Sequence, residues 1–198
     1  SRGSIPLAGP GRRPDSMTRR KTENRDYSDC MIREALTYPD PLLKEKAEPV
    51  AEITPEIRAL AEDMIDTMYE NDGIGLAAPQ VGELVRLITV DVSGPDSREG
   101  LRVLVNPELE LIGEQIESEE GCLSVEYYRA PVTRSDKVRV KALDINGNPV
   151  AFEAEDLLAV CLQHECDHLD GRLFIDRISR LKRNLYDAKV KKWARQNR

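Results

Sequence analysis

The chain of 198 residues contains two histidines, His164 and His168, which lie four positions apart. On a helix, residues at this spacing share a face one turn apart, so the two imidazoles can hold one metal ion. Glu165 stands between them, where its carboxylate can act on a water molecule at the ion. This is the HExxH pattern of metallohydrolases. The alternative is a surface helix with two incidental histidines, which the apolar residues around position 160 disfavour.

A catalytic metal site needs a third protein ligand and an open position. Because there is no third histidine, the third ligand is sought among Cys30, Cys122, Cys161 and Cys166. Cys166 points about 200° around the helix from His164. Cys161 lies roughly 7 Å below the expected metal position along the helix axis, so we expect it to line the pocket instead. Cys30 falls in a polar N-terminal arm, and elimination therefore favours Cys122 without proving it.

Three helices are predicted from apolar spacing and end signals. Thr54 can cap the first helix, which Asn71-Asp72-Gly73 ends. The second runs from Glu155 to Leu169, carries the HExxH pattern and stops at Gly171. The third starts at Ser179 and runs toward Gln196.

Strands cluster between these helices, which favours an α+β fold with antiparallel β-sheets around a central HExxH helix and a C-terminal helix. An Asn-Gly turn at residues 146–147 predicts a hairpin. The predicted strands are Arg86–Val92, Leu101–Asn106, Leu109–Ile112, Gln115–Glu120, Lys137–Leu143 and Pro149–Glu153.

The composition and length suit one domain. We expect residues 1–16 to be an expression leader, with Met17 as the natural start, residues 17–35 to be an N-terminal arm, and residues 36–198 to form a single catalytic domain. No run is apolar enough to cross a membrane, and no signal-peptide core follows the basic N-terminus. We therefore expect a cytoplasmic protein with no membrane partner, whose cysteines are thiols or ligands rather than disulfides.

The charge is unevenly distributed along the chain. The net charge is −7, but residues 181–198 hold seven basic residues and one acid, so this tail carries +6 and the remainder −13. Such asymmetry indicates either contact with a nucleic acid or a solvated helix face packed on its own domain through Leu181, Leu185, Val190 and Trp193.

Three segments together resemble the signature of the peptide deformylase family, of the bacterial type. They are Gly73–Gln80 (GIGLAAPQ), Glu120–Ser124 (EGCLS) and His164–Gly171 (HECDHLDG). Taken by itself, the first segment could also be a phosphate loop or a tight turn, but it lacks the Lys-Ser/Thr of a P-loop. The likeness runs from about Leu36 to the C-terminus, and the helical tail resembles the subclass typical of Gram-negative bacteria.

The resemblance implies a metal-dependent hydrolase that removes the formyl group from the N-terminal methionine of nascent polypeptides and releases formate. It implies one divalent ion held by Cys122, His164 and His168, with Fe²⁺ in cells and Zn²⁺, Ni²⁺ or Co²⁺ also suited. Glu165 would be the general base and acid. The side-chain amide of Gln80 and the backbone N–H of Leu123 would stabilise the oxyanion.

The expected partners are formylmethionyl peptides and, through the basic tail, the ribosome; no specific DNA is expected. A structural ion pair between Glu120 and Arg129 is expected to hold the Cys122 strand. The substrate-binding residues implied are Gly73, Ile74, Gly75, Glu120, Tyr128, Arg129, Leu157, Val160 and Cys161.

One departure from the family pattern concerns the cleft rim, where Glu126-Tyr127-Tyr128 stands in place of a segment that begins with proline in many relatives. Two other functions remain open from the residues alone. An HExxH metallopeptidase would share the hydrolytic machinery but would need a third His or Glu ligand. A structural metal site would need four protein ligands and would leave Glu165 without a role.

Overall fold

The structure, a computed structural model, describes residues 31–196. Its helices are α1 (Pro55–Glu70), the short α2 (Gly94–Ser97), α3 (Asp156–Leu169) and α4 (Arg180–Gln196). Its strands are β1 (Gly75–Ala77), β2 (Leu87–Val90), β3 (Arg102–Leu111), β4 (Gln115–Cys122), β5 (Val125–Ser135), β6 (Lys137–Leu143) and β7 (Pro149–Glu155). Single 3₁₀ turns occupy Pro41–Lys44, Ala78–Val81 and Phe174–Asp176.

The strands form two antiparallel sheets. Five of them lie in the order β1-β2-β3-β6-β7, and β4 and β5 form a separate two-stranded sheet. β1 is therefore at an edge of the larger sheet, with one side free of strand neighbours among the described residues.

Helix α3 lies between the two sheets. It contacts β1, β2 and β7 of the larger sheet and β5 of the smaller one. Consequently its residues are buried from Ala159 to Leu169 except for the half-buried Cys166. Gly171 ends the helix with a left-handed backbone (φ 68°), and a Cβ there would lie 2.3 Å from the carbonyl oxygen of Lys44. The fold thus places the HExxH pattern at the centre of the molecule.

The predicted fold class is confirmed, and the predicted helices and most strands are present. Strand β5 was not predicted. Strand β1 was not among the strands predicted from the residues, although the family resemblance implies that the segment Gly73–Gln80 is an extended edge that pairs with the substrate backbone. The two segments predicted around residues 101–112 form the single strand β3, which bends at a register shift between Val105 and Glu108. Thr54 precedes α1 as predicted, but its side chain makes no capping hydrogen bond.

The packing of α4 differs from the expected apolar face. Leu181 and Leu185 are 71% and 60% exposed. Instead Tyr186 is fully buried, and Val190 and Trp193 pack beside it against β5 and the 3₁₀ turn at Phe174–Asp176. The Tyr186 hydroxyl donates to the backbone carbonyl of Glu126 at 3.3 Å. Helix α4 is therefore built into the wall that carries residues 126–128.

The predicted leader (1–16), most of the predicted arm (17–35) and Cys30 lie outside the described residues. The last part of the arm lies along α1, since the backbone N–H of Arg33 donates to Thr67 Oγ1 at 2.9 Å and its side chain pairs with Asp63 at 3.0 Å. Within residues 31–196, no helix is long and apolar enough to cross a bilayer.

Candidate metal centre

Three potential ligands converge where α3 faces the end of β4. The donor atoms of Cys122, His164 and His168 all lie within 4.8 Å of one another, and Cys122 Sγ is 3.2 Å from His168 Nε2. Two of these side chains come from adjacent turns of α3, and the third from the last residue of β4. Cys161 and Cys166 do not belong to this group.

A buried hydrogen-bonded network supports His164 from behind. Its Nδ1 lies 2.7 Å from Glu120 Oε2, which fixes the ring so that Nε2 faces the other donors. Arg134 donates to both oxygens of Glu120 at 2.6 and 2.9 Å, and to Asp167 at 2.6 Å. Although burial opposes its ionisation, hydrogen bonds from Arg134 and His164 lower the pKa of Glu120 to about 2. Asp167 is bonded in turn by Arg177.

The expected ion pair between Glu120 and Arg129 is wrong. The register of the small sheet places Glu120 opposite Ala130, and side chains alternate between faces along a strand. Arg134, four residues beyond Ala130, shares the buried face with Glu120, whereas Arg129 lies on the other face. The partner of Glu120 is therefore Arg134, which is 1% exposed.

Glu165 is buried beside Gly75 of strand β1. Burial raises the pKa of its carboxyl to about 7. A Cβ added at Gly75 would lie 2.4 Å from Glu165 Oε1 and 2.8 Å from Cys161 Sγ, so any larger residue here would force these side chains to shift. The buried side-chain atoms without a hydrogen-bond partner among the described residues are Glu165 Oε2 and His168 Nδ1. Since unpaired buried polar groups are costly, Glu165 Oε2 marks a place prepared for a ligand. His168 turns its Nε2, not its Nδ1, toward Cys122.

Gln80 lies beside the cysteine of the cluster. Its side-chain oxygen accepts from the backbone N–H of Ala77 at 2.9 Å, which orients the amide. The amide nitrogen then donates to Cys122 Sγ at 3.4 Å and to Ser124 Oγ at 3.2 Å. A side-chain N–H is thereby held at the edge of the cluster.

A cavity of about 760 Å³ opens in front of these groups. Every residue expected to bind substrate lines it: Gly73, Ile74, Gly75, Glu120, Tyr128, Arg129, Leu157, Val160 and Cys161. Gln80, Cys122, Leu123, His164 and Glu165 line it as well, while His168 lies behind them, 1% exposed.

Other residues at the site were not found from the sequence. Arg134 and Asp167 reach it only through the tertiary network described above. The cavity wall also includes Asn71, Asp72, Ser118, Glu119, Gly121, Val125 and Tyr127. The departure from the family pattern at residues 126–128 was a usable signal for Tyr127, and Gly121 lies within the signature segment Glu120–Ser124. The other wall residues carried no signal of a role at the site.

The residues present fit a divalent metal ion. One thiol and two imidazoles form a donor set suited to such an ion, and their donor atoms lie close enough to share it. The bond from His164 Nδ1 to Glu120 is the support that metal-binding histidines usually have. Glu165 lines the same cavity as Cys122 and His164, and its buried Oε2 has no partner among the described residues, so an acid–base group lies beside the three donors.

Comparison with known proteins agrees with this geometry. A family model described as polypeptide deformylase matches residues 32–184. The chain is 51% identical to a peptide deformylase of Thermodesulfovibrio yellowstonii, over 81% of this chain and 97% of that relative. It is 47% identical to a peptide deformylase of Alkalilimnicola ehrlichii, over 84% of this chain and 93% of that relative.

The fold is shared with a solved structure. The crystal structure of a peptide deformylase from Legionella pneumophila superposes with a TM-score of 0.78 at 44% identity, covering 84% of this chain and 98% of that one. Because the family model spans most of the chain and the relatives align over nearly their whole length, the chain belongs to the polypeptide deformylase family.

Proposed function

We propose that this chain is a metal-dependent hydrolase that removes the formyl group from the N-terminal methionine of newly made polypeptides, and that residues 36–198 form its catalytic domain. The observation that carries the proposal is the convergence of Cys122, His164 and His168 beside a buried Glu165 whose Oε2 has no partner among the described residues. The HExxH metallopeptidase is disfavoured because the third donor of the cluster is a cysteine and the family is a deformylase family.

In this proposal, Cys122, His164 and His168 hold one divalent ion. When bound, such an ion would supply Lewis acidity for the formyl carbonyl and would lower the pKa of a water molecule toward neutral pH. Glu120 and Arg134 keep His164 in the orientation that presents Nε2 to the cluster.

Glu165 is the proposed general base and acid. Its carboxylate accepts a proton from the water that attacks the formyl carbon and later delivers it to the departing amine. The carbon–nitrogen bond breaks, and the products are formate and a peptide with a free α-amino group.

Two groups at the cavity edge stabilise the oxyanion in this proposal. The amide nitrogen of Gln80 is held in place by the bond from Ala77 to its oxygen, so it costs little reorganisation during the reaction. The backbone N–H of Leu123 is the second donor, and Leu123 lines the cavity next to Cys122.

The methionine side chain is placed against the apolar part of the wall, formed by Ile74, Leu157, Val160, Cys161 and the ring of Tyr128. An unbranched thioether suits such a lining because it adapts to an irregular apolar pocket. The free edge of β1 then pairs with the backbone of the substrate, as in peptide recognition by strand addition.

The test is formate release from formyl-Met-Ala-Ser by protein purified without oxygen, with metal analysis of the same sample. Met-Ala-Ser with a free amine serves as the control for peptidase activity. Release of formate without cleavage of the control supports the proposal. Cleavage of the control peptide alone would support the metallopeptidase.

For the identity of the ion we propose Fe²⁺ in cells, with Zn²⁺, Ni²⁺ or Co²⁺ also able to occupy this donor set. A thiol beside a redox-active ion is open to oxidation, so activity in air should decay faster with Fe²⁺ than with Ni²⁺. Equal lifetimes of the two preparations would contradict this.

We also propose that α4 docks the protein on the ribosome. Its exposed basic side chains are Arg180, Lys182, Lys189, Lys191, Lys192 and Arg195. Arg183 is engaged, with Asp176 and Asp187 as partners. A basic surface on an otherwise acidic chain suits contacts with RNA phosphates.

The docking test must use surface charges, since removing α4 would also remove the buried Tyr186, uncover the apolar residues that it packs on and disturb the cavity wall at Glu126. Replacing Lys182, Lys189 and Lys192 by Glu should abolish salt-dependent co-sedimentation with ribosomes and leave turnover of a short formyl peptide intact. The matched control replaces Lys46, Lys141 and Arg172, which are exposed elsewhere, by Glu. Equal loss of co-sedimentation in both variants would show that only the total charge matters.

A further inference from the structure

Helix α4 presents two aromatic rings to the back of the cavity wall. Tyr186 is buried, and its ring stacks on that of Tyr128 with the centroids 4.8 Å apart. Trp193, two helical turns further on, packs edge-on against Tyr186 at 6.4 Å and against Tyr127 at 5.8 Å. Tyr127 and Tyr128 line the cavity in front of the metal centre, and Trp193 is not among the residues that line it. This part of the wall therefore lies on rings that belong to α4.

The backbone of Tyr127 needs support from its surroundings. Its φ of 54° is left-handed, which is unfavourable for a residue with a side chain and persists only where neighbouring structure holds it. Solvent surrounds most of the side chain, which is 87% exposed. The contact of its ring with Trp193 comes from α4, and so does the hydrogen bond from Tyr186 to the carbonyl of the preceding residue, Glu126. Helix α4 thus holds the cleft rim in place.

Helix α4 is itself fastened to the body of the domain. The hydroxyl of Tyr38 donates to Asp187 at 3.0 Å, and the Tyr38 ring lies 6.0 Å from that of Tyr186. Arg183 pairs with Asp176 of the last 3₁₀ turn. Because these partners lie outside residues 126–128, the position of Trp193 is set independently of the rim that it contacts.

The rim segment is also where this chain departs from the family pattern, with Glu126-Tyr127-Tyr128 in place of a segment that begins with proline in many relatives. An aromatic ring at position 127 meets an aromatic ring at position 193, the only tryptophan of the chain. Such a pair prefers an edge-to-face arrangement, and the two rings cross at 78°. The unusual rim and the tryptophan of α4 therefore form one unit.

We propose that Trp193 is a positioning residue of the peptide-binding cavity, which it shapes by holding Tyr127. This rests on the proposed function, since the cavity is where the formylated peptide is placed. Trp193 does not line the cavity, so it acts only through Tyr127. The rim lies away from the reacting formyl group. Loss of the support should therefore raise KM and leave kcat at the parent value, as expected when binding is weakened equally in the ground state and the transition state.

The test measures formate release from formyl-Met-Ala-Ser by the full chain loaded with Ni²⁺. Trp193→Leu keeps an apolar side chain but removes the ring, and KM should rise about two- to tenfold, the size of the contribution of one aromatic pair. Trp193→Phe retains an edge-on ring and should restore the parent KM. Leu185→Ala, an exposed change on the same helix, is the matched control and should leave both constants unchanged.

A double variant separates positioning from a general loss of structure. In a Tyr127→Leu background, Trp193→Leu should change KM little further, because two residues that act as a unit are not additive. Detachment of α4 would instead raise KM by the same factor in both backgrounds, and this result would overturn the proposal. A parent KM in Trp193→Leu, accompanied only by a lower free energy of unfolding, would overturn it as well. Absence of formate release by the parent chain would overturn the proposed function instead.

Discussion

The two sides of the candidate metal centre differ in how completely their polar groups are paired. Behind His164, the side chains of Glu120, Arg134 and Asp167 satisfy one another in a buried network. On the side that faces β1, Glu165 Oε2 has no partner among the described residues. A buried network whose groups are all paired fixes the positions of its side chains. A buried polar atom without a partner is costly unless a ligand or a water molecule binds to it. The first side therefore holds the site in shape, and the second is where ion, water and substrate are expected.

The largest effect is expected from removing a ligand. Loss of a partner that only supports a ligand lowers metal affinity by about 10- to 100-fold, so Cys122→Ala or His164→Ala should exceed that. Metal content after dialysis measures it. Cys166→Ala is the control, because Cys166 lies on α3 outside the ligand group. Full metal content in Cys122→Ala would remove this cysteine from the site.

The next effect concerns the unpaired side. Glu165→Gln should keep fold and metal but lower kcat by about 10²- to 10⁴-fold, since the amide cannot accept the proton of the water. Glu108→Gln, an exposed change on β3, controls for the lost charge. If the Glu165 variant keeps more than about a tenth of the wild-type kcat, the expected general base lies elsewhere.

The paired side should respond through stability. Arg134→Met leaves Glu120 and Asp167 buried without their shared partner, and breaking a buried ion pair costs about 3–5 kcal/mol. Denaturant unfolding measures this loss. Arg129→Met, on the opposite face of β5, should cost far less, because no ion pair of Arg129 is present in the described part of the chain. A larger loss of unfolding free energy in Arg129→Met than in Arg134→Met would indicate that Arg129 is the partner of Glu120, as expected from the sequence.

The same contrast shows which parts of the fold and of the site could be predicted from the sequence. The HExxH helix was predicted nearly to its bounds because its spacing, its two histidines and Gly171 are local features. Strand β5 was missed, since Pro131 is unfavourable within a strand and the charged residues Glu126, Arg129 and Arg134 do not follow a two-residue alternation. The pairing of Arg134 depends on the register of β4 with β5 and on the approach of α3, and such long-range relations leave no local pattern.

Cys122 illustrates the intermediate case. Elimination among the cysteines favoured it, and the structure brings its sulfur to the two imidazoles.

The alternative in which α4 packs on its own domain through Leu181, Leu185, Val190 and Trp193 holds for Val190 and Trp193 but not for the two leucines. The helix turns Tyr186 inward, where its ring stacks on Tyr128 at 4.8 Å. An apolar side chain on an amphipathic helix could be assigned to a face only after the neighbouring aromatic residues were known.

The smallest expected effect tests whether the unpaired side owes its geometry to the glycine of β1. Gly75→Ala places a Cβ 2.4 Å from Glu165 Oε1, so the carboxylate must shift. A displacement of about 1 Å in a catalytic group costs on the order of 10² in rate. Gly121→Ala is the matched control, because its Cβ meets the flexible side chain of Arg129 at 3.2 Å. Metal content should be unchanged in both variants.

The double variant, Gly75→Ala combined with Glu165→Gln, shows how the alanine lowers the rate. If it acts by displacing Glu165, the substitution should cost little more in a Glu165→Gln background, since residues that act as a unit are not additive. If Gly75→Ala costs the same factor in both backgrounds, the alanine instead blocks the substrate beside β1. Gly75→Ala should leave the paired network behind His164 unchanged in both backgrounds. No member of that network is among the three nearest atoms to the Cβ position of Gly75. Unfolding free energies within error of the parent proteins would establish that the two sides of the site are independent.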